Sequence, residues 1–171
     1  MVKDLDATRL ERLTYAVSYF DTEKTLKMTI GETIEKLLDE ARQENRLICG
    51  LNDASKFLKE TENPENSLFF FIAPSSTSDS VKHMQEVVLQ AFCFESDIYI
   101  IKLDSAEKLT RIVGCEHEVN CALIQKHFHN QAKKFSELET CLIDHCEDFW
   151  DEPIQPIIKL PEKWKILAWK I

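Results

Sequence analysis

Stretches with apolar residues at helical spacing alternate with short runs that are apolar throughout, joined by brief polar connections. Thr29 and Glu32 predict a capping box, and Ile30, Ile34, Leu37, Leu38 and Ala41 form one stripe, so a helix is expected over about 30–45. Leu47 to Leu51 reads as a short strand. A helix over roughly 53–60 follows, with Phe57 and Leu58 inward, and Asn63-Pro64 ends it. Ser67 to Ala73, containing Leu-Phe-Phe-Phe-Ile, has no polar alternation, as expected of a strand buried on both faces. Pro74 and the run Ser-Ser-Thr-Ser-Asp-Ser then form a polar loop that caps a long helix over 80–95.

The apolar positions of that long helix are Val81, Met84, Val87, Val88, Ala91 and Phe92. They spread wider than one core stripe needs, so a second face is expected to meet a partner. Ile98 to Leu103 is the next strand, followed by a helix over 105–113 with Leu109, Ile112 and Val113 inward. Val119 to Ile124 makes another strand, and 125–135 a locally basic loop with Lys126, Lys133 and Lys134. The last helix, 137–149, opens on a Ser136…Glu139 box and carries Leu138, Cys141, Leu142, His145 and Phe149 on one face. Ile154 to Leu160 closes the sheet, and Pro153 and Pro156 suit an edge position. A further helix over 8–20 is read from Thr8…Glu11 and the face Leu10, Leu13, Val17 and Phe20, while the tail Glu162–Ile171 has no clear period. About five strands and five or six helices in alternation predict a three-layer α/β/α sandwich around a mixed sheet.

Composition narrows the functional classes. Hydrophobic residues make up 44% of the 171, enough for a core. A net charge of −9 repels phosphate backbones and favours basic partner segments. No apolar signal core follows Met-Val-Lys-Asp-Leu-Asp and no run of about 18 apolar residues occurs, so an intracellular protein without a membrane span is expected. The six cysteines include no Cys-x-x-Cys pair and are expected to be reduced thiols. Gly31, Gly50 and Gly114 lie too far apart for a Walker loop or a dinucleotide fingerprint. No cofactor is expected.

The stretch Gln90-Ala91-Phe92-Cys93-Phe94-Glu95-Ser96-Asp97-Ile98 resembles a hallmark of the growth arrest and DNA-damage-inducible protein 45 family, as does Pro156-Ile-Ile-Lys-Leu-Pro161-Glu162. Asn63-Pro64-Glu65-Asn66 and Asn120-Cys121-Ala122-Leu123-Ile124 match in the same order, and together they cover about 28–162. The resulting division is an extension over 1–27, a sandwich domain over 28–162 and a tail over 163–171. The resemblance implies the fold of kink-turn RNA-binding ribosomal proteins and a stress-response, growth-arrest activity without catalysis. It implies binding to the regulatory segment of a mitogen-activated protein kinase kinase kinase, relieving its autoinhibition. It further implies binding to cyclin-dependent kinase complexes, the replication sliding clamp and a second copy, in nucleus and cytoplasm. The expected self-association surface is Gln90, Ala91, Phe92 and Cys93 with Met84 and Val87 nearby. Two departures stand out: Pro74-Ser-Ser-Thr-Ser-Asp-Ser replaces the family's strongly acidic loop, and 164–171 runs past its usual end.

Four further constellations carry candidate chemistry. Gly50-Leu-Asn52-Asp53-Ala-Ser-Lys56 is similar to the signature with which RNA-binding members of this fold read a kink-turn, so Gly50, Asn52, Asp53 and Lys56 are candidate RNA contacts. The competing reading is that Asn52 or Asp53 caps a helix and Lys56 is solvated. Cys115, His117 and Cys121, with His127 and His129, lack the tight ligand pairs of structural zinc, which favours plain burial. Cys141, His145 and Cys146 share a helix but have no glycine turn nearby to supply an oxyanion hole. Glu137, Glu139, Asp144, Glu147 and Asp148, with Asp151 and Glu152, form an acidic run. It is either a solvated face or a landing site for a basic kinase segment.

Overall fold

The computed structural model describes residues 28–75, 79–126 and 135–162. The expected helix over 8–20, the tail from 163 on, and His127, His129, Lys133 and Lys134 lie outside these residues. Among the described residues the α-helices and strands are, in order, α1 (Ile30–Gln43), β1 (Leu47–Cys49), α2 (Leu51–Glu60), β2 (Ser67–Ile72), α3 (Ser80–Glu95), β3 (Tyr99–Leu103), α4 (Ala106–Val113), β4 (Cys121–Gln125), α5 (Glu137–Asp148) and β5 (Ile157–Ile158), with one 3-10 turn at Pro64–Asn66 before β2. The sheet runs β1-β4-β2-β3-β5. β4 is antiparallel to β1 and β2, whereas β3 is parallel to β2 and β5, giving the expected mixed sheet.

The unbroken apolar run of β2 is explained by its central position. Phe69 and Phe71 enter the core shared with α1, α4 and α5, while Phe70 and Ile72 enter the opposite core shared with α2 and α3. Strand pleating sends alternate residues to opposite faces, so a strand covered on both sides needs apolar residues at every position. All six residues of β2 are buried.

Local chemistry sets the helix starts. Thr29 Oγ1 accepts the Glu32 N–H and Glu32 Oε2 accepts the Thr29 N–H, both at 3.2 Å, forming the expected box at α1. The sheet closes where Leu160 N–H donates to Asp104 Oδ1 at 2.9 Å and Lys108 Nζ bridges Asp104 Oδ2 and the Leu160 carbonyl at 2.9 and 3.1 Å. Burial alone would raise the Asp104 carboxyl; its bonds to Lys108 and the Leu160 N–H outweigh that and hold it below the usual carboxylate range. This closing segment crosses α1 at Gly31, where an added Cβ would lie 2.1 Å from the Lys159 carbonyl oxygen.

Three details depart from the sequence pattern. Helix α2 starts at Leu51, with Gly50 at its N-cap and no side-chain cap bond, so neither Asn52 nor Asp53 caps it; both sit in its first turn. Helix α5 buries Glu139, Leu142 and Cys146, leaving Leu138, Cys141, His145 and Phe149 half-buried, so its inward stripe is rotated from the expected one. Strand β5 keeps only Ile157 and Ile158, which pair with Lys102 and Leu103, while Ile154 stays exposed.

Candidate protein and nucleic-acid interfaces

Helix α3 starts where Asp79 Oδ1 accepts the Val81 N–H at 3.0 Å. Its inward residues are Glu86, Leu89 and Cys93. Val81, Met84, Val87 and Val88 face out, 66, 65, 49 and 61% exposed. Their spacing places them on one helical face with the exposed Ala91, a stripe suited to packing against another protein surface. An inward carboxylate fixes this orientation. Glu86 accepts a hydrogen bond from buried Asn120 Nδ2 at 2.5 Å, and Ala73 N–H donates to the Asn120 carbonyl at 2.7 Å, tying α3 to the ends of β2 and β4. Of the expected self-association residues, Met84, Val87 and Ala91 are exposed, and Gln90 and Phe92 are half-buried. Cys93 is completely buried against the sheet, which pushes its thiol up to about 12, so it cannot line a surface contact.

The Gly50 turn sits beside this helix. Gly50 N–H donates to the Cys121 carbonyl at 2.9 Å, and its φ of 96° lies in the region that disfavours side-chain-bearing residues. Asn52, Asp53 and Lys56 project from the first turns of α2 and are exposed. A groove of about 460 Å³ separates α2 from α3, with Asn52 and Lys56 on one wall and Met84, Val88 and Phe92 on the other. Two candidate sets that lie far apart in the sequence therefore share one groove. On the other side of α2, a wider depression of about 800 Å³ is lined by Asp53 and Lys56 together with Cys49, Cys115 and His117.

The acidic run on α5 lies in the opposite helical layer, with α1 and α4. Glu137, Asp144, Glu147 and Asp148 are exposed. Glu139 is only 1% exposed and pairs at 3.6 Å with Arg46, which also binds Glu44 Oε2 at 2.6 Å and the Gln125 carbonyl at 2.9 Å. It belongs to the core, not to an acidic landing surface. Glu147 Oε1 accepts the Tyr99 hydroxyl at 3.0 Å; burial, then this bond, pushes that phenol up to about 12. Phe94 stacks on Trp150 at 5.2 Å, and Trp150 meets Tyr99 edge-on at 5.7 Å, an aromatic link from the end of α3 and the start of β3 to the turn after α5. Sequence reasoning missed Glu86, Asn120 and this trio, because partners so distant in the chain leave no periodic signal.

Among the described residues, no group of three or more His, Cys, Asp or Glu side chains is placed to hold a metal ion. Cys121 is buried in β4 and Cys146 in the core under α5. His145 packs on Phe149 at 5.1 Å, and burial lowers its pKa against the opposing pull of Asp148. No described helix is long and apolar enough to cross a membrane.

Comparison with known proteins follows the same outline. The profile of the Ribosomal protein L7Ae/L30e/S12e/Gadd45 family matches residues 32–134. Growth arrest and DNA damage-inducible protein GADD45 alpha of Cricetulus griseus is 26% identical over 160 residues, covering 82% of this chain and 94% of that protein. GADD45 gamma of Rattus norvegicus is 29% identical over 111 residues, covering 60% and 69%. Among solved structures, the Giardia lamblia 15.5kD RNA binding protein superposes with a TM-score of 0.51 at 16% identity, covering 70% of this chain and 88% of that one. That likeness is one of fold.

Proposed function

This chain belongs to the Ribosomal protein L7Ae/L30e/S12e/Gadd45 family, with GADD45 proteins among its relatives, and from that premise we propose a non-enzymatic stress-response adaptor. Its role would be to bind the regulatory segment of a mitogen-activated protein kinase kinase kinase and promote activation, in nucleus and cytoplasm. The observation that carries this reading is the aliphatic stripe Val81, Met84, Val87 and Val88, held outward on a capped helix by Glu86 and Asn120. Exposed apolar stripes of this kind are characteristic of protein-binding surfaces. The exposed Glu137, Asp144, Glu147 and Asp148, with a net charge of −9, supply the field that would steer a basic segment. A second copy, cyclin-dependent kinase complexes and the replication sliding clamp are further proposed partners for these surfaces.

The test is a titration of the purified chain against the amino-terminal regulatory segment of a stress-activated kinase kinase kinase at low and high salt. Saturable binding that weakens with salt supports the adaptor reading, while no binding by the folded protein at either salt counts against it. A second reading, kink-turn RNA binding, is favoured by one observation: Gly50 adopts positive φ and presents Asn52, Asp53 and Lys56 together on the exposed start of α2. Replacing Asn52 and Lys56 by Ala should then abolish RNA binding and leave kinase binding intact.

A further inference from the structure

Cys49 ends β1, and Cys115 follows α4 in the connection to β4. The sequence separates them widely, but the fold brings them together: both line the depression of about 800 Å³ beside α2, where the two thiols are neighbours. Both are half-buried free thiols, open to small solutes from that depression. Arg42 reaches this corner, its Nη1 at 3.4 Å from the Val113 carbonyl. Cys115 lies outside regular structure just after Gly114, whose φ of 74° marks the turn leaving α4. Closing the pair brings Cys115, outside regular structure, toward the strand-held Cys49.

We propose that Cys49 and Cys115 form a peroxide-sensitive dithiol that closes to an intramolecular disulfide, stapling the end of β1 to the α4–β4 connection beside Gly50, Asp53 and Lys56. In the first step Cys115 sulfur attacks a peroxide oxygen; the S–O bond forms, the O–O bond breaks, and the thiol proton leaves with the departing oxygen as water. Cys49 sulfur then attacks Cys115 sulfur; the S–S bond forms, the S–O bond breaks, and hydroxide leaves with the Cys49 proton as a second water. Two thiols are oxidised and one hydrogen peroxide is reduced to two waters.

The order of attack follows from the pair's asymmetry. Cys115 lies outside regular structure between the exposed Gly114 and Glu116, whereas Cys49 is held in β1 and its thiol is pushed up to about 12 by burial and then by the neighbouring Cys115, so Cys115 meets the peroxide first. The remaining cysteines lack this combination. Cys93 and Cys121 are wholly buried in the core between the sheet and α2/α3, Cys146 is buried beneath α5, and burial raises the half-buried Cys141 thiol. The proposal is independent of which macromolecule the chain binds.

The test treats the reduced full chain with hydrogen peroxide, blocks remaining thiols with N-ethylmaleimide, and maps peptides without reduction. The expected result is a loss of two of the six thiols counted after denaturation, a mass decrease of two hydrogen atoms, and a cross-linked peptide joining Cys49 to Cys115. Cys49→Ser should stop the reaction at a Cys115 sulfenic acid that a dimedone probe captures, and Cys115→Ser should abolish both disulfide and probe labelling. Six retained thiols, a cross-link between other positions, or only intermolecular disulfides in the wild-type chain would overturn the proposal. The wild-type peptide map decides even if a variant fails to fold.

Discussion

Gly31 offers a perturbation whose sign separates two physical effects. It is the second residue of α1, where a helix-propensity argument favours Ala over Gly by up to about 1 kcal/mol. The fold says the opposite. An added Cβ would sit 2.1 Å from the Lys159 carbonyl oxygen and 3.2 Å from its carbon, backbone atoms with no rotamer to escape into. Restoring ordinary contact needs a shift of about 1 Å, the overpacking regime that costs about 1–3 kcal/mol. The closing segment resists that shift. Leu160 is buried, its N–H is bound to Asp104, its carbonyl to Lys108, and Ile158 is paired with Leu103. Loosening the charge-assisted bond to Asp104 adds up to about 1.5–3 kcal/mol. After the propensity gain, Gly31→Ala should destabilise by about 2 kcal/mol. For a domain of this size that lowers the melting temperature by roughly 4–8 °C. Urea unfolding followed by circular dichroism measures this, and a neutral or stabilised Gly31→Ala would refute the packing of 157–160 over α1.

Other outcomes follow from the same geometry. If the proposed second-copy contact forms through α3, Met84→Glu with Val88→Glu should abolish it in sedimentation while shifting stability by no more than about 0.5 kcal/mol, as expected of surface positions; a large loss of stability would mean that they pack in a core. Glu139→Ala strips the nearly buried Arg46 of one ion-pair partner and should cost about 3 kcal/mol by urea unfolding, toward the low end for buried pairs because Glu44 and the Gln125 carbonyl remain. His145 gives a pH signature. Burial, opposed by Asp148, lowers its folded-state pKa, so below about 6.5 the unfolded chain takes up the proton more readily. Stability should therefore fall as pH drops through that value toward the lowered one, and His145→Phe should remove this part of the slope in pH-dependent unfolding.

The layered fold was legible because its strongest signals were local. The Thr29/Glu32 box, the unalternated Phe69-Phe70-Phe71 and the span of α3 follow from capping, pleating and helical period. What period cannot reveal is a polar residue used as core. Glu86 and Glu139 each face inward because Asn120 and Arg46, distant in the chain, meet them there. The inward Glu139 goes with an α5 stripe rotated from the expected one, while on α3 the expected outer face holds except that Cys93 lies inward, so Cys93 and Glu139 leave the candidate surfaces. The shift of α2 to Leu51 has a different cause: the positive-φ Gly50 lets the chain turn directly from β1 into the helix, without a side-chain cap. The shared corner of Cys49 and Cys115 was invisible for the same reason as Glu86–Asn120, since only the sheet order brings β1 and the α4–β4 connection together.

The central claim, that this chain works by binding protein through its exposed surfaces, is tested most directly by calorimetric titration with the kinase kinase kinase regulatory segment. Wild type, Asp144→Lys with Asp148→Lys, and Asn52→Ala with Lys56→Ala would be compared at two salt concentrations. Saturable wild-type binding is expected, weakened by salt and by the α5 charge reversals and unchanged by the α2 substitutions. No binding by any folded form, together with RNA binding lost in the Asn52/Lys56 variant, would contradict it.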